Sequence, residues 1–103
     1  MKIITVHGSG LGTSILLQLT AQTALQRLHV DATVEALARV SVHGFLPDAD
    51  LLLVSPELAG GLARAASIVR PVHDPLDLAE VARQISIGLG QRSPSTRSPL
   101  VPV

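Results

Sequence analysis

The chain of 103 residues contains no cysteine. A disulfide scaffold, a thiolate nucleophile and a cysteine-ligated zinc site are therefore excluded. Tryptophan and tyrosine are absent too, and Phe45 is the lone aromatic ring, so a core must be built from Leu, Ile, Val and Ala. Neither sign of charge prevails: eight Lys and Arg balance eight Asp and Glu, and Arg64, Arg70, Arg83, Arg92 and Arg97 are scattered. Proteins that bind nucleic acid or anionic membranes normally carry a clustered basic excess. No apolar run approaches the roughly 18 residues of a membrane span. The run before the first glycines of MKIITVHGSG is also too short for a signal peptide. The expectation is a cytoplasmic protein with no nucleic-acid partner and no direct membrane insertion.

What is present is a set of short apolar runs separated by helical periods. Ile3, Ile4 and Val6 form a nearly continuous apolar strand, the pattern of a strand buried on both faces. From about Thr13 to Leu28, the residues Leu17, Ala21, Ala24 and Leu28 share one helical face, and Gln18, Gln22 and Gln26 line another. Thr13 or Ser14 is expected to cap that helix. HVDATVEAL alternates Val30, Ala32, Val34 and Ala36 with Asp31, Thr33 and Glu35, which reads as an outer strand. ARVSVHGFLPDAD has no period and reads as loop. ADLLLVSP reads as a second central strand. Pro56 starts a short helix reaching about Ala66. SIVRPVHD is a weaker strand that Pro71 confines to an edge. Leu78, Val81, Ala82, Ile85 and Leu89 mark a last amphipathic helix, which Gly88 and Gly90 are expected to end. QRSPSTRSPLVPV has three prolines and no period, so residues 91–103 are expected to be a disordered tail after a domain of residues 1–90.

Strands alternating with helices predict an α/β fold, a small three-layer domain. Right-handed crossovers then give a four-stranded parallel sheet of order 2-1-3-4 with helices on both faces. Ligands of such sheets sit beyond the carboxyl ends of the strands, where successive connections diverge. That point falls beside His7, with Ser55, Pro56 and Glu57 as neighbours.

The loop at that point is VHGSGLGTS. Its spacing Gly8-Ser9-Gly10-Leu11-Gly12 misses the dinucleotide fingerprint, which needs a glycine where Thr13 stands. It misses the nucleotide P-loop as well, since no Lys precedes Thr13 or Ser14. What remains is a turn whose glycines let backbone N–H groups face one small anion at a helix N-terminus. Ser9, Thr13 and Ser14 add hydroxyls. With no Lys or Arg in the loop, a single phosphoryl group suits it better than a polyphosphate. A ligand-free strand-to-helix turn is the plain alternative.

MKIITVHGSGLGTSILLQL closely resembles the start of the IIB phosphocarrier components of the bacterial phosphotransferase system, and most nearly the ascorbate and galactitol class. Those proteins open with a strand, a Cys-Gly-x-Gly-x-Gly-Thr-Ser-like loop and a long helix. The likeness is specific over residues 1–20 and continues loosely to about Leu89. It implies a phosphoryl carrier that accepts its group from a IIA phosphohistidine and passes it to a sugar at a membrane IIC component, with no cofactor and no metal. Gly8, Ser9, Gly10, Leu11, Gly12, Thr13 and Ser14 match the loop that wraps the phosphoryl group, and Ser55 and Glu57 would shape the rim. The departure is at the centre, where His7 stands in place of the phosphorylated cysteine.

Neutral imidazole is a competent nucleophile, and phosphoryl transfer asks chiefly for positioning and charge stabilisation. Imidazole nitrogens, however, lie further from the backbone than a thiolate sulfur, and small misplacements cost rate. Two readings follow: a working carrier with His7 as acceptor, or a phosphorylation-deficient IIB-like module that binds a partner or an anion. A phosphatase-like hydrolase would lack both its usual thiolate and its arginine. His29 and His43 read as solvated turn and loop residues. His73 lies on the binding rim, where the neighbouring carboxylate of Asp74 could orient it, although a plain surface residue is the readier reading. Asp48 and Asp50 read as a solvated strand entry.

Overall fold

The computed structural model describes residues 1–38, 49–62 and 68–91. Their elements run β1 (Lys2–Val6), α1 (Leu11–Leu28), β2 (Thr33–Leu37), β3 (Leu51–Val54), α2 (Pro56–Leu62), β4 (Val69–Pro71) and α3 (Leu78–Gly90). The four strands are parallel and ordered β2-β1-β3-β4, as the alternation of strands and helices predicts. In register, Val6 lies opposite Leu37 on one side and Val54 on the other, and Val54 lies opposite Pro71. These strand ends form one edge.

The unbroken apolar runs are explained by the layers. Ile3, Leu51 and Leu53 turn to one face, where they pack with Leu17, Ala21, Ala24 and Leu25 of α1 and Val81 and Ile85 of α3. Ile4, Val6, Leu52 and Val54 turn to the other and meet Leu37 and the α2 residues Leu58, Ala59 and Leu62. Ile3, Ile4, Leu52 and Leu53 are fully excluded from water. Each such side chain contributes about 1.5–3 kcal/mol by burial. Thr5 shares the α1 face and is buried as well, and its hydroxyl donates to the Ser14 carbonyl at 2.8 Å.

Three local expectations are corrected. First, α1 starts at Leu11 and its N-cap is Gly10, with no side-chain cap, so neither Thr13 nor Ser14 caps it. Gly10 holds φ 124°, a conformation that L side chains rarely adopt, which explains why a glycine occupies that turn. Second, β2 is shorter than its alternating segment and begins at Thr33, because Val30 closes the end of α1 by donating its N–H to the Leu25 carbonyl. Third, Gly88 does not stop α3, which runs through it and ends at Gly90 as expected. Gly88 is instead a contact point: a Cβ there would stand 2.8 Å from Leu51 Cδ1. Pro71 does sit in an edge strand, where no ladder partner needs its missing N–H. Segment 39–48, expected as loop, the end of the helix expected to reach Ala66, and the tail beyond Gln91 lie outside the described residues.

Candidate functional site

At the carboxyl edge the chain leaves β1 at Val6 and must turn into α1 within four residues. Four hydrogen bonds hold that turn. The Gly10 N–H donates to the His7 carbonyl at 3.1 Å. Ser14, one turn into α1 and buried, accepts the His7 N–H at 2.9 Å and donates to the Gly10 carbonyl at 3.2 Å, so its hydroxyl ties both ends of the loop together. The fourth bond reaches across the sheet: the Gly8 N–H donates to Ser55 Oγ at 2.9 Å. Ser55 is itself buried, and its hydroxyl donates to Glu57 Oε2 at 2.9 Å. A Cβ on residue 8 would run into that Glu57 oxygen, which is why the first loop glycine is needed.

The His7 ring is held from within the loop. Its Nδ1 accepts the Ser9 N–H at 3.0 Å. A nitrogen that accepts an N–H carries a lone pair, so the neutral ring has its proton on Nε2. The N–H groups of Leu11, Gly12 and Thr13 open α1 and have no intrahelical acceptor, and no side chain caps them. They form a small donor set at the start of α1, with the partial positive charge of a helix start. Nothing stands within 4 Å of a Cβ built on Gly12, so that flank of the loop is open. Ser9 is exposed, and so are Leu11 and Gly12, while Thr13 is half-buried.

The sequence therefore brings His7 through Ser14 together with Ser55 and Glu57, but the roles separate. Ser14 and Ser55 have their hydroxyls committed to the loop backbone and to Glu57, so they build the turn. Ser9 and Thr13 keep hydroxyls that no described residue occupies.

A further pair on the same edge involves a residue that sequence reasoning missed. Two strands over, His73 follows β4, and the Val72 N–H joins it to the Val54 carbonyl at 2.8 Å. The carboxylate against His73 belongs to Glu80 of α3, not to its neighbour Asp74. Glu80 takes the His73 N–H at 2.7 Å, the His73 Nδ1 at 2.9 Å and the Asp74 N–H at 2.9 Å. Asp74 instead accepts the Leu76 N–H at 2.9 Å. The available signal was Asp77-x-x-Glu80, a capping-box spacing. Asp77 does accept the Glu80 N–H at 3.1 Å, but the Glu80 side chain reaches past the cap to the end of β4. Burial opposes ionisation of Glu80, yet the two backbone N–H groups, the ring N–H and the charge of His73 together outweigh it and hold the carboxyl below its usual range.

Among the described residues no three His, Asp or Glu stand close enough to hold a metal ion. Asp50 accepts the Lys2 N–H at 2.7 Å, and Asp48 lies outside the described residues. No described helix is long and apolar enough to cross a membrane.

The geometry is a glycine loop between the end of a first parallel strand and a long helix, and three comparisons with known proteins bear on it. No curated protein matches the chain by sequence. Among solved structures, the chain is similar to the lactose-specific IIB component domain of the phosphoenolpyruvate:carbohydrate phosphotransferase system from Streptococcus pneumoniae, with a TM-score of 0.61. That likeness covers 90% of this chain and 98% of the other at 15% identity, and at such identity it shows the shared fold. The family model that matches is described as "PTS system, Lactose/Cellobiose specific IIB subunit" and runs over residues 2–86. It does not carry the narrower likeness to the ascorbate and galactitol class. Because that match spans the whole sheet, the loop and most of α3, the chain belongs to the lactose/cellobiose-type IIB family of the phosphotransferase system.

Proposed function

We propose that the protein is a cytoplasmic phosphoryl carrier in which His7 takes the place of the phosphorylated cysteine. The group comes from a IIA phosphohistidine and goes to a sugar at a membrane IIC component. The observation that carries this reading is the direction of the His7 lone pair: Nδ1 faces the Ser9 amide inside the loop. A phosphoryl group bonded to Nδ1 takes over the Ser9 N–H, and the N–H groups of Leu11, Gly12 and Thr13 at the start of α1 supply further donors. Charge is thus stabilised by amides already in place, with little reorganisation. Residues 8–14 form the cradle, stapled by Ser14, and Ser55 with Glu57 support it from the neighbouring strand.

The partner reading rests on α1. Leu11, Ile15 and Leu19 follow one another at four-residue steps beside the loop and are 46%, 42% and 54% exposed. An apolar stripe next to a transfer site suits a protein donor or acceptor. The second reading, a module that has lost phosphorylation, draws on the absence of any thiol and on the Glu57 carboxylate, which brings negative charge to the Gly8 side of the loop.

Incubation with phosphoenolpyruvate, the two general relay proteins and a phosphorylatable IIA component tests both. Carrier function gives an acid-labile label on His7, through Nδ1, that His7→Ala abolishes. With a verified donor, label on His7→Cys but none on the wild type decides for the inactive relative.

A further inference from the structure

The edge that carries the loop holds a second histidine with the opposite tautomer. The Glu80 carboxylate is an acceptor only, so its 2.9 Å contact with His73 Nδ1 places the ring proton on Nδ1 and leaves the lone pair on Nε2. Glu80 is almost entirely buried and held by three N–H groups, whereas the His73 side chain is 76% exposed. The ring is therefore fixed at its base and open at its tip, and no described residue hydrogen-bonds Nε2. The carboxylate-oriented imidazole is a recurring device for presenting one nitrogen of a histidine to a reacting group. His7 has its lone pair turned into the loop, and His73 has its own turned to solvent. The register Val6–Val54–Pro71 puts the two strand ends two spacings apart, roughly 10 Å.

We propose that His73 is a second phosphoryl acceptor of this chain, taking the group on Nε2 from donors with a phosphorus–nitrogen bond, with Glu80 as its positioning residue. The proposal rests on the carrier reading for its protein donor, a phosphohistidine. In the step, the His73 Nε2 lone pair forms the new phosphorus–nitrogen bond as the donor's bond breaks. A donor ring protonated on its other nitrogen leaves as neutral imidazole, keeping that proton and taking the electron pair. The His73 ring becomes a phosphoimidazolium that retains its Nδ1 proton, and the buried Glu80 carboxylate opposite that N–H balances its charge. No further reactant is needed.

The test uses the full chain and potassium phosphoramidate, a small phosphorus–nitrogen donor that needs no partner protein, followed by phosphorus NMR and mass spectrometry of digests. Phosphate is expected on Nε2 of His73 about ten times faster than on His29, an exposed histidine without a carboxylate partner among the described residues. His73→Ala should remove that label, and Glu80→Gln should slow it about threefold or more with His29 unchanged. His7→Ala should leave it in place. Nitrogen NMR of the wild-type ring should show Nδ1 protonated, a measurement that requires no variant to fold. Labelling no faster than at His29, labelling on Nδ1, or an unprotonated Nδ1 overturns the proposal. With the relay proteins as donor, label on His7 alone ends this inference and keeps the carrier reading. Label on His73 alone does the reverse.

Discussion

The carboxylate of Glu57 occupies the space that a side chain on residue 8 would need, so Gly8 and Glu57 are mutually exclusive claims on one volume. Ser55 joins them, accepting from the Gly8 amide and donating to Glu57.

Gly8→Ala should therefore cost about 1 kcal/mol, because the new methyl group displaces the end of a flexible side chain from its hydrogen bond. The test is a double-mutant cycle by urea denaturation. Gly8→Ala on a Glu57→Ala background should lose most of its penalty, giving a coupling of about 0.5–1 kcal/mol. Strict additivity would mean that Glu57 does not occupy the space.

Ser14→Ala removes the hydroxyl that ties the His7 amide to the Gly10 carbonyl. The buried serine is replaced by a better helix former, so a few tenths of a kcal/mol return, but two polar groups lose their partner. A net loss of about 1–2 kcal/mol is expected in the urea midpoint, with the amide shifts of His7 and Gly10 moving most. If shifts move evenly along α1 and the loop stays put, Ser14 is not the staple.

Gly12 is the loop glycine that neither packing nor backbone angle requires: like Gly10 it has open space at its Cβ position, but unlike Gly10 it does not hold a positive φ. Gly12→Ala should raise stability by about 0.5 kcal/mol, and so the melting temperature by a few degrees. Phosphate titrated against amide NMR shifts gives the second readout. The wild-type shifts of residues 8–14 should respond at millimolar anion, and Gly12→Ala should bind more weakly if the anion approaches that flank. Unmoved wild-type shifts would remove the cradle itself.

The pH dependence of stability should carry the signature of Glu80. Its pKa lies below the usual 4.5 in the folded chain, so the unfolded chain takes up this proton first as pH falls. The stability it contributes is complete above the ordinary glutamate range and is lost on descent from there through the folded value. Urea midpoints of wild type and Glu80→Gln should be well separated near neutrality and draw together under acid. A gap that stays constant below the carboxylate range would show that Glu80 acts through packing alone.

The order of elements and the sheet topology were readable because both are written locally. Ile3-Ile4 and Leu51-Leu52-Leu53-Val54 are unbroken apolar runs, so they could only be strands covered on both faces. Pro71 and the alternation around Val34 mark the two edges. With right-handed crossovers, little choice of strand order remains. The loop was readable for the same reason, since Gly8, Gly10 and Gly12 lie between a strand and a helix, and the missing cysteine is plain by inspection. The partners inside the site were not. Gly8 meets Ser55 across 47 residues, a contact that exists only once β1 and β3 are in register. Periodicity named Gly88 a helix stop, yet the docking of α3 on Leu51 made it a contact point. Asp74 stood next to His73 in the chain, but the path of α3 brought Glu80 to the ring instead. Sequence determines which segments become strand, turn or helix, because those depend on near neighbours. Which carboxylate meets which imidazole, and which hydroxyl closes which turn, depends on how the layers stack, and only the folded chain decides it.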